Sequence, residues 1–248
     1  MEILRARLLE QFPHGFTTRD GGVSPAPWQA MNLGGAVGDD PERVAENWGR
    51  LRGAVGLGFA RVRQVHGDRV IVASEPHEPR EDADAVATAT AGVAACVSVA
   101  DCVPVLLADP RSGAVAAVHA GWRGSIAAIA ARAVELLARR FGAEPGELLA
   151  AVGPSSGPCC YEVDPQLAAR FVAAFGEAVA NASPAQPRLD LWMANERALR
   201  CAGVRAGNIE VLGRCTSCEA ELFYSHRRDR GLTGRQVGFI APRGASLP

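Results

Sequence analysis

The chain has 248 residues, 48% of them hydrophobic and 21% charged, and its formal net charge is −1 at pH 7. This length allows one large domain with a substantial core, and the near-neutral charge gives no field that would attract nucleic acid or an anionic membrane. All 26 residues of the lysine and arginine class are arginines, which excludes a P-loop lysine and a Schiff-base lysine.

The sequence contains neither a predicted membrane span nor a predicted secretory signal, and this determines the cellular location that we expect. No apolar run is long enough and free enough of charge to span a bilayer, and the first residues do not have the pattern of a secretory signal. The seven cysteines are odd in number and irregularly spaced, which argues against a disulfide framework. We therefore expect a cytoplasmic protein without nucleic-acid or membrane partners, present as a monomer or a weak oligomer.

Apolar runs typical of β-strands dominate the first half of the chain and recur near its end. The predicted strands are residues 61–65, 69–73, 83–88, 94–99, 103–108, 114–119, 148–152, 208–212 and 236–240. His66-Gly67-Asp68 would form the turn of a hairpin between the first two of these strands. A tight turn at residues 109–113 would make the strands on either side of it antiparallel neighbours.

Four helices are predicted from N-cap residues, N-terminal prolines and terminal glycines. They cover residues 41–55, 125–141, 165–176 and 190–202. Hairpins mixed with helices, without regular alternation of strand and helix, predict an α+β fold with mixed β-sheets. No low-complexity linker or repeat divides the chain, so a single domain spanning residues 1–248 is expected.

Three residues that bind soft metals lie beside apolar strand-like runs: His66, Cys102 and His119. Taken singly, a turn histidine is more often solvent-exposed and a lone cysteine is more often a small buried hydrophobe. Together they would make a three-ligand zinc site, and catalytic zinc takes three protein ligands and leaves one position open.

Cys102 and His119 are 17 residues apart on the two strands joined by the predicted tight turn. This spacing places them nearly opposite each other, where Cβ atoms lie about 4.5–5.5 Å apart. The distance allows either a shared metal or a Cys–His nucleophilic pair. The sequence alone does not bring His66 to the same place.

Three further segments are candidates for polar function. Asp101 is an acid inside an apolar stretch, and a buried carboxylate needs a partner. Arg123, in a glycine-flanked turn that leads into a helix, would form an anion subsite or lie on the surface as an ordinary arginine. The charge-rich loop of residues 225–231 is either a solvated turn or a phosphate clamp at the mouth of a pocket.

The other paired cysteines give weaker indications. Cys215 and Cys218 form a CxxC without a second CxxC or paired histidines, and Cys159 and Cys160 are adjacent. A zinc assignment from such a pattern is weak, and the context of a thioredoxin-like redox site is missing. All four are interpreted as structural rather than catalytic.

A series of ordered motifs resembles the bacterial laccase-domain proteins over nearly the whole chain. That family is variously described as polyphenol oxidase, peptidoglycan editing factor and multifunctional purine nucleoside enzyme. The motifs are Thr18-Arg19-Asp20-Gly21-Gly22-Val23-Ser24, Asn32-Leu33, Val37-Gly38-Asp39, Gln64-Val65-His66-Gly67, Asp82-Ala83-Asp84-Ala85, Ala100-Asp101-Cys102-Val103-Pro104, His119-Ala120-Gly121-Trp122-Arg123-Gly124, Gly153-Pro154, Cys159-Cys160-Tyr161-Glu162-Val163, Ser225-His226-Arg227-Arg228-Asp229 and Thr233-Gly234-Arg235.

The resemblance implies zinc on His66, Cys102 and His119, with copper as the alternative metal. It also implies phosphorolysis of adenosine, inosine and methylthioadenosine, and deamination of adenosine. The implied fold is a mixed α+β sandwich flanked by helices, similar to toxin deamidase domains that carry a Cys–His pair. Purine nucleosides and inorganic phosphate are the implied partners. Copper-dependent polyphenol oxidation ranks lower, because the chain lacks the histidine pairs that a multicopper centre needs.

On this hypothesis, zinc would lower the pKa of a water molecule that attacks C6 of adenosine. Cys102, His119 and Asp101 are the candidate catalytic residues, with Asp101 transferring a proton or orienting a ligand histidine. The candidate contacts to phosphate, base or ribose are Arg19, Asn32, Gln64 and Arg123. One rival is a metal-free Cys–His amidohydrolase that edits peptidoglycan precursors. The other is a binding module without turnover.

Overall fold

Two mixed β-sheets form the centre of the molecule, for which the computed structural model describes residues 1–181, 183 and 186–244. The first sheet contains, in spatial order, β1 (Ile3–Leu4), β2 (His14–Thr17), β11 (Gln236–Ile240), β6 (Val93–Val99) and β3 (Gly58–Arg61). The second contains β10 (Ile209–Val211), β9 (Leu149–Val152), β7 (Val103–Ala108), β8 (Val115–Ala120), β5 (Ala85–Thr88) and β4 (Val70–Val72).

The first sheet has one parallel pair at one margin, and the second has a parallel pair at each margin, while the other pairs are antiparallel. β3 pairs parallel to β6, while β10 and β4 pair parallel to β9 and β5. The hairpin β7–β8 is antiparallel, as predicted. The sheets pack face to face, because one apolar cluster joins residues such as Ala95 and Val97 of β6 to Leu106 of β7 and Val115 of β8.

Five helices cover the outer faces in the part of the chain that the structure describes. They are α1 (Pro41–Val55), α2 (Trp122–Ile126), α3 (Ile129–Phe141), α4 (Pro165–Phe175) and α5 (Leu191–Cys201). α1 packs its apolar side on the first sheet, whereas α3, α4 and α5 pack on the second. The α+β class with mixed sheets in a helix-flanked sandwich is therefore confirmed. Every helix in the described ranges is too short or too polar for a membrane crossing.

Most helix ends follow the N-cap rules. Asp40 and Asp164 cap α1 and α4 by accepting hydrogen bonds from the amides of Glu42 and Leu167, which satisfies donors that the helix itself leaves free. The predicted single helix over residues 125–141 is wrong, because Ala128 at φ 56° separates α2 from α3. The break lets α2 approach the loop at Gly67 closely while α3 packs on β8.

The hairpin predicted around His66 is also wrong. The strands before and after it, β3 and β4, belong to different sheets and pair with β6 and β5. Residues 62–69 cross from one sheet to the other, and His66 adopts φ 61° within this crossover. The pattern of a turn between two apolar runs is the same for a hairpin and a crossover, so local sequence does not distinguish them.

One prediction concerns the stability of α1. Gly49 and Gly53 lie in its exposed interior, and a Cβ added at Gly49 meets no atom within 4 Å. Gly49→Ala is expected to raise the free energy of unfolding by about 0.8–1 kcal/mol, because alanine loses less backbone entropy in a helix. Urea titration followed by circular dichroism measures the change. A lower midpoint than that of the unsubstituted chain would contradict it.

Candidate metal centre

Three potential metal ligands meet at one end of the two sheets. One ligand atom each from His66, Cys102 and His119 lies within 4.8 Å of the others. Cys102 Sγ is 3.9 Å from His66 Nε2, and the two imidazole rings lie 4.8 Å apart at an interplanar angle of 82°. The structure therefore brings together the three residues predicted from sequence. Their role as metal ligands stays a prediction.

Two of the three ligands come from crossovers between the sheets. His66 lies in the crossover from β3 to β4, and Cys102 lies in the short turn from β6 to β7. His119 lies on β8, in the second sheet, opposite Pro104 rather than Cys102. His119 thus pairs with the residue two positions after Cys102, and not with Cys102 itself as predicted. The side chains of Cys102 and His119 are diagonal neighbours on one face.

The loop that carries His66 is held by a buried carboxylate. Asp84 Oδ1 accepts from the His66 amide at 2.9 Å, and its Oδ2 accepts from the Gly67 amide at 2.6 Å and the Val65 amide at 3.2 Å. The Gln64 side chain also holds this loop. Its Nε2 donates to the Ser98 carbonyl at 2.7 Å, and its Oε1 accepts from the Ser98 amide at 2.8 Å. These contacts stabilise the left-handed backbone of His66.

The same carboxylate orients His119. Asp84 Oδ1 accepts a hydrogen bond from His119 Nδ1 at 2.8 Å, and both side chains are buried. A carboxylate only accepts, so Nδ1 carries the proton and Nε2 faces the other two ligands. This carboxylate–histidine arrangement is typical of residues that support metal-binding imidazoles. Burial opposes ionisation of Asp84, but the hydrogen bonds from His119 and the amides keep its pKa below the usual range.

Cys102 and His119 shift each other's pKa toward the charged forms. Burial alone would raise the pKa of the Cys102 thiol, but the His119 imidazolium and hydrogen bonds from both histidines lower it to about 6. Burial alone would lower the pKa of His119, but the Cys102 thiolate and Asp84 raise it to about 9. A thiolate is the form of cysteine that binds a metal and also the form that acts as a nucleophile.

The donor set suits a borderline-soft divalent metal. One thiolate and two imidazole nitrogens are three of the four ligands that zinc takes, which leaves one position open as in catalytic sites. Gly121 lies opposite Cys102 in the extended strand register, and its missing side chain leaves room for the cluster. A Cβ there would lie 3.0 Å from His66 Cδ2 and 3.1 Å from Cys102 Sγ.

Gly121→Ala is therefore expected to weaken metal binding at this cluster by about tenfold or more, because the added methyl displaces two ligands at once. Gly49→Ala is the matched control, since the same substitution in α1 meets nothing. Competition with a chromophoric chelator measures both affinities. Equal affinities in the two variants would contradict the crowding argument.

A cleft of about 770 Å³ opens above the three residues. Its lining includes the glycine loop of residues 34–37, the aromatic rings of Trp122 and Tyr161, and the side chains of His226, Arg227 and Arg235. Among the described residues, none of these last three has a carboxylate within salt-bridge distance, whereas Arg61 and Arg63, also in the lining, pair with Glu78 and Asp82. The guanidinium group of Arg227 donates to the Glu162 carbonyl, and that of Arg235 donates to the carbonyls of Thr233 and Gly234. The cleft thus combines aromatic faces with two arginines that have no neighbouring carboxylate in the described residues.

Asp101, predicted as a proton-transfer residue, has both carboxylate oxygens engaged away from the histidines. Thr216 Oγ1 and the Arg227 amide donate to it, each at 2.7 Å, and its carbonyl accepts from the Ser156 amide at 2.9 Å. Asp101 adopts φ 88°, which turns the chain so that Cys102 faces the histidines. These contacts favour a positioning role for Asp101.

The four predicted substrate contacts are spread over different environments. Gln64 lines the cleft, but its amide is bound to Ser98. Arg19 donates to the carbonyls of Gln29 and Ala220, and Asn32 supports the glycine loop through the amide of Gly34. Both act as framework residues, and neither belongs to the cleft lining. Arg123 stacks on Trp122 beside the cleft.

Sequence reasoning missed three residues of this region: Asp84, Tyr161 and Arg235. Asp84 could have been predicted, because it is an acid beside the buried strand β5. The same argument, that a buried carboxylate needs a partner, identified Asp101 as a candidate. No local pattern indicates that Tyr161 and Arg235 would reach the cleft, since they come from distant loops.

Comparison with known proteins agrees with the fold. The family described as "Multi-copper polyphenol oxidoreductase laccase" matches residues 13–243. The chain belongs to this family. A relative from Deinococcus radiodurans named purine nucleoside phosphorylase is 46% identical over 244 residues, covering 97% of this chain and 92% of the relative. Purine nucleoside phosphorylase YlmD from Geobacillus stearothermophilus is 40% identical, covering 92% and 89%.

Solved structures of family members have the same architecture. The crystal structure of YlmD from Geobacillus stearothermophilus superposes with a TM-score of 0.92 at 36% identity, covering 98% of this chain and 97% of that one. The hypothetical protein YfiH from Bacillus licheniformis gives a TM-score of 0.91 at 32% identity, covering 97% and 96%. The predicted membership of the laccase-domain family is confirmed.

Proposed function

We propose that this protein is a metal-dependent purine nucleoside enzyme that uses His66, Cys102 and His119 as ligands, with zinc as the metal. The observation that carries the proposal is the convergence of these three residues, with Asp84 hydrogen-bonded to His119, beneath a cleft whose lining includes Arg227 and Arg235. The names of the full-length relatives support the substrate class. Zinc held there would supply Lewis-acid activation of a water molecule near neutral pH.

Different residues of the cleft would bind the purine base and the phosphate. Trp122 and Tyr161 offer aromatic faces for the purine base, since stacking on an aromatic ring tolerates any base. His226, Arg227 and Arg235 offer donors for phosphate. Arg227 is itself fixed, because its guanidinium lies 4.7 Å from the centre of the Tyr161 ring and its amide donates to Asp101.

Two reactions fit this arrangement. In phosphorolysis, an oxygen of phosphate bonds to C1′ of the nucleoside, the bond from C1′ to the base nitrogen breaks, and ribose 1-phosphate and free base leave. In deamination of adenosine, water adds at C6 and ammonia leaves. The first reaction needs the cationic wall, and the second needs only the metal centre and the base-binding faces. Methylthioadenosine is a further proposed substrate for phosphorolysis, because it shares the base and the C1′ linkage.

The two reactions are expected to respond differently at Arg235. Arg235→Gln keeps a hydrogen-bonding side chain but removes the charge, so KM for phosphate should rise about 10-fold or more, in line with the loss of one charged hydrogen bond. Deamination of adenosine without phosphate should change little. Arg235→Lys is the control that restores charge. Equal losses of both activities would contradict a phosphate role for Arg235.

The proposal is tested on protein purified without a metal-affinity tag. Metal content and turnover of adenosine and inosine, with and without phosphate, are measured for the unsubstituted chain, for Cys102→Ala and for Cys201→Ala. Cys201 is an exposed cysteine on α5 and serves as the matched control. Turnover and metal at the centre should be lost only in Cys102→Ala. Turnover that survives the loss of Cys102 would overturn the proposal.

The Cys–His amidohydrolase acting on peptidoglycan precursors is the second candidate. The proximity of Cys102 to His119, which lowers the pKa of the thiol and raises that of the imidazole, favours it, because an adjacent histidine is how cysteine nucleophiles are activated. Multicopper oxidation has less support, because only two of the five histidines lie in this cluster. A cytoplasmic location stays a prediction, with which seven free thiols are compatible.

A further inference from the structure

Four cysteines outside the centre described above meet on the surface of the second sheet's loops. Cys159 and Cys160 come from the loop after β9, and Cys215 and Cys218 come from the loop after β10. One sulfur from each lies within 4.8 Å of the other three. The closest pairs are Cys160 with Cys218 at 3.4 Å and Cys159 with Cys218 at 3.5 Å.

These distances fit one tetrahedral ion better than they fit disulfides. A disulfide joins its sulfurs at about 2.05 Å, and all four cysteines are free thiols. Four ligands at the zinc–sulfur distance of about 2.3 Å lie about 3.8 Å from one another by tetrahedral geometry. The two closest pairs, at 3.4 and 3.5 Å, lie slightly below this value, and all four sulfurs lie within 4.8 Å of one another. A four-iron cluster would sit between its thiolates and would hold them farther apart.

We propose that Cys159, Cys160, Cys215 and Cys218 bind a structural zinc ion. A complete set of four protein thiolates leaves no open position, which is the property of structural rather than catalytic zinc. The site is thus separate in ligands and in chemistry from the centre at Cys102, and it does not depend on which reaction that centre performs.

The backbone around the thiols is already arranged for such a site. Ser155 and Cys215 form a parallel β-bridge, which joins the two loops before any metal is added. The Gly157 amide donates to Cys215 Sγ at 3.3 Å, and hydrogen bonds to the sulfur are typical of the contacts that orient metal ligands. Gly157 packs so closely on Trp192 that a Cβ would lie 2.6 Å from the ring.

The ion would stabilise one wall of the catalytic cleft. Cys160 directly precedes Tyr161, whose ring lines the cleft. Thr216, between the other two ligands, donates its hydroxyl hydrogen to Asp101, the neighbour of Cys102. Binding both loops to one ion would therefore fix Tyr161 and the Asp101 turn together, although none of the four thiols takes part in the reaction.

The test measures the zinc content of proteins that carry Cys102→Ala, which removes a ligand of the other centre. Cys102→Ala should retain about one zinc per chain, and Cys102→Ala with Cys218→Ser should lose it, whereas Cys102→Ala with Cys201→Ser should keep it. Loss of zinc should also lower the melting temperature by roughly 5 °C or more. If the Cys102 centre binds no metal, the unsubstituted chain would also hold about one zinc, so the two proposals fail separately.

A second measurement uses the Cys102→Ala chain, in which all four thiols of the site remain, in case the serine variant does not fold. Stepwise modification of thiols with an organomercurial should release zinc as Cys159, Cys160, Cys215 and Cys218 react. The cobalt-substituted Cys102→Ala protein should show the intense absorption of tetrahedral cobalt with four thiolates. Iron in place of zinc, a Cys159–Cys218 or Cys160–Cys218 disulfide found by non-reducing mass spectrometry, or zinc retained in the protein that carries both Cys102→Ala and Cys218→Ser would each overturn the proposal.

Discussion

His66→Ala is expected to reduce kcat/KM for nucleosides by at least about 1,000-fold, which corresponds to about 4 kcal/mol of transition-state stabilisation. The substitution removes one of three ligands, so metal affinity at the centre should fall with activity. His77→Ala is the matched control, because His77 lies in a loop outside the cleft and its Nδ1 contacts only the carbonyl of Glu78.

This variant also separates the two candidate functions. The Cys102–His119 pair and the hydrogen bond from His119 to Asp84 remain in His66→Ala. A Cys–His amidohydrolase would keep most of its activity, since its nucleophile and base are intact. Steady-state kinetics and metal analysis on the same preparation decide between them. Normal nucleoside turnover in a variant that has lost the metal would refute the metal-dependent mechanism.

Asp84→Asn is expected to have the second-largest effect. The buried carboxylate accepts hydrogen bonds from three backbone amides and from His119. An asparagine amide must turn its NH₂ group toward donors, so at least one of these bonds becomes a repulsive contact. We expect the free energy of unfolding to fall by about 3 kcal/mol. Metal affinity and activity should fall about 10- to 100-fold, as for other residues that support a ligand.

Asp82→Asn is the control for this prediction. Asp82 lies two positions earlier in the same motif, but its carboxylate is exposed and pairs with Arg63 on the surface. Its replacement should leave metal affinity and unfolding nearly unchanged. Urea unfolding and chelator competition on both variants provide the comparison. Similar behaviour of the two would mean that Asp84 does not support the centre.

The sequence predicted the fold class because local rules govern most of its elements. N-cap aspartates define where α1 and α4 begin, and β7 and β11 have the predicted limits. β1 and β2 were missed, since one has two residues and the other contains histidine and glycine. The predicted hairpin around His66 was wrong because long-range packing determines the partner of each strand, and β3 and β4 pair with β6 and β5.

The candidate site was predictable only in part for the same reason. The Cys102–His119 pair came from one hairpin, whose register local sequence nearly determines. The contact of His66 with this pair depends on Asp84, which lies 18 residues further along the chain and holds the crossover loop. The charge-rich loop of residues 225–231 was predicted as either a solvated turn or a phosphate clamp, and its His226 and Arg227 line the cleft, whereas no sequence pattern indicated that Arg235 would reach it.

The two crossovers between the sheets carry His66 and Cys102, and this placement limits how the length of the chain can vary. An inserted residue between β3 and β4, or between β6 and β7, would shift a ligand by more than 3 Å along the backbone. The turn at residues 109–113 has no contact with the centre and joins two strands of one sheet. Insertions, loop grafts and peptide tags should therefore be tolerated at that turn and excluded from the crossovers.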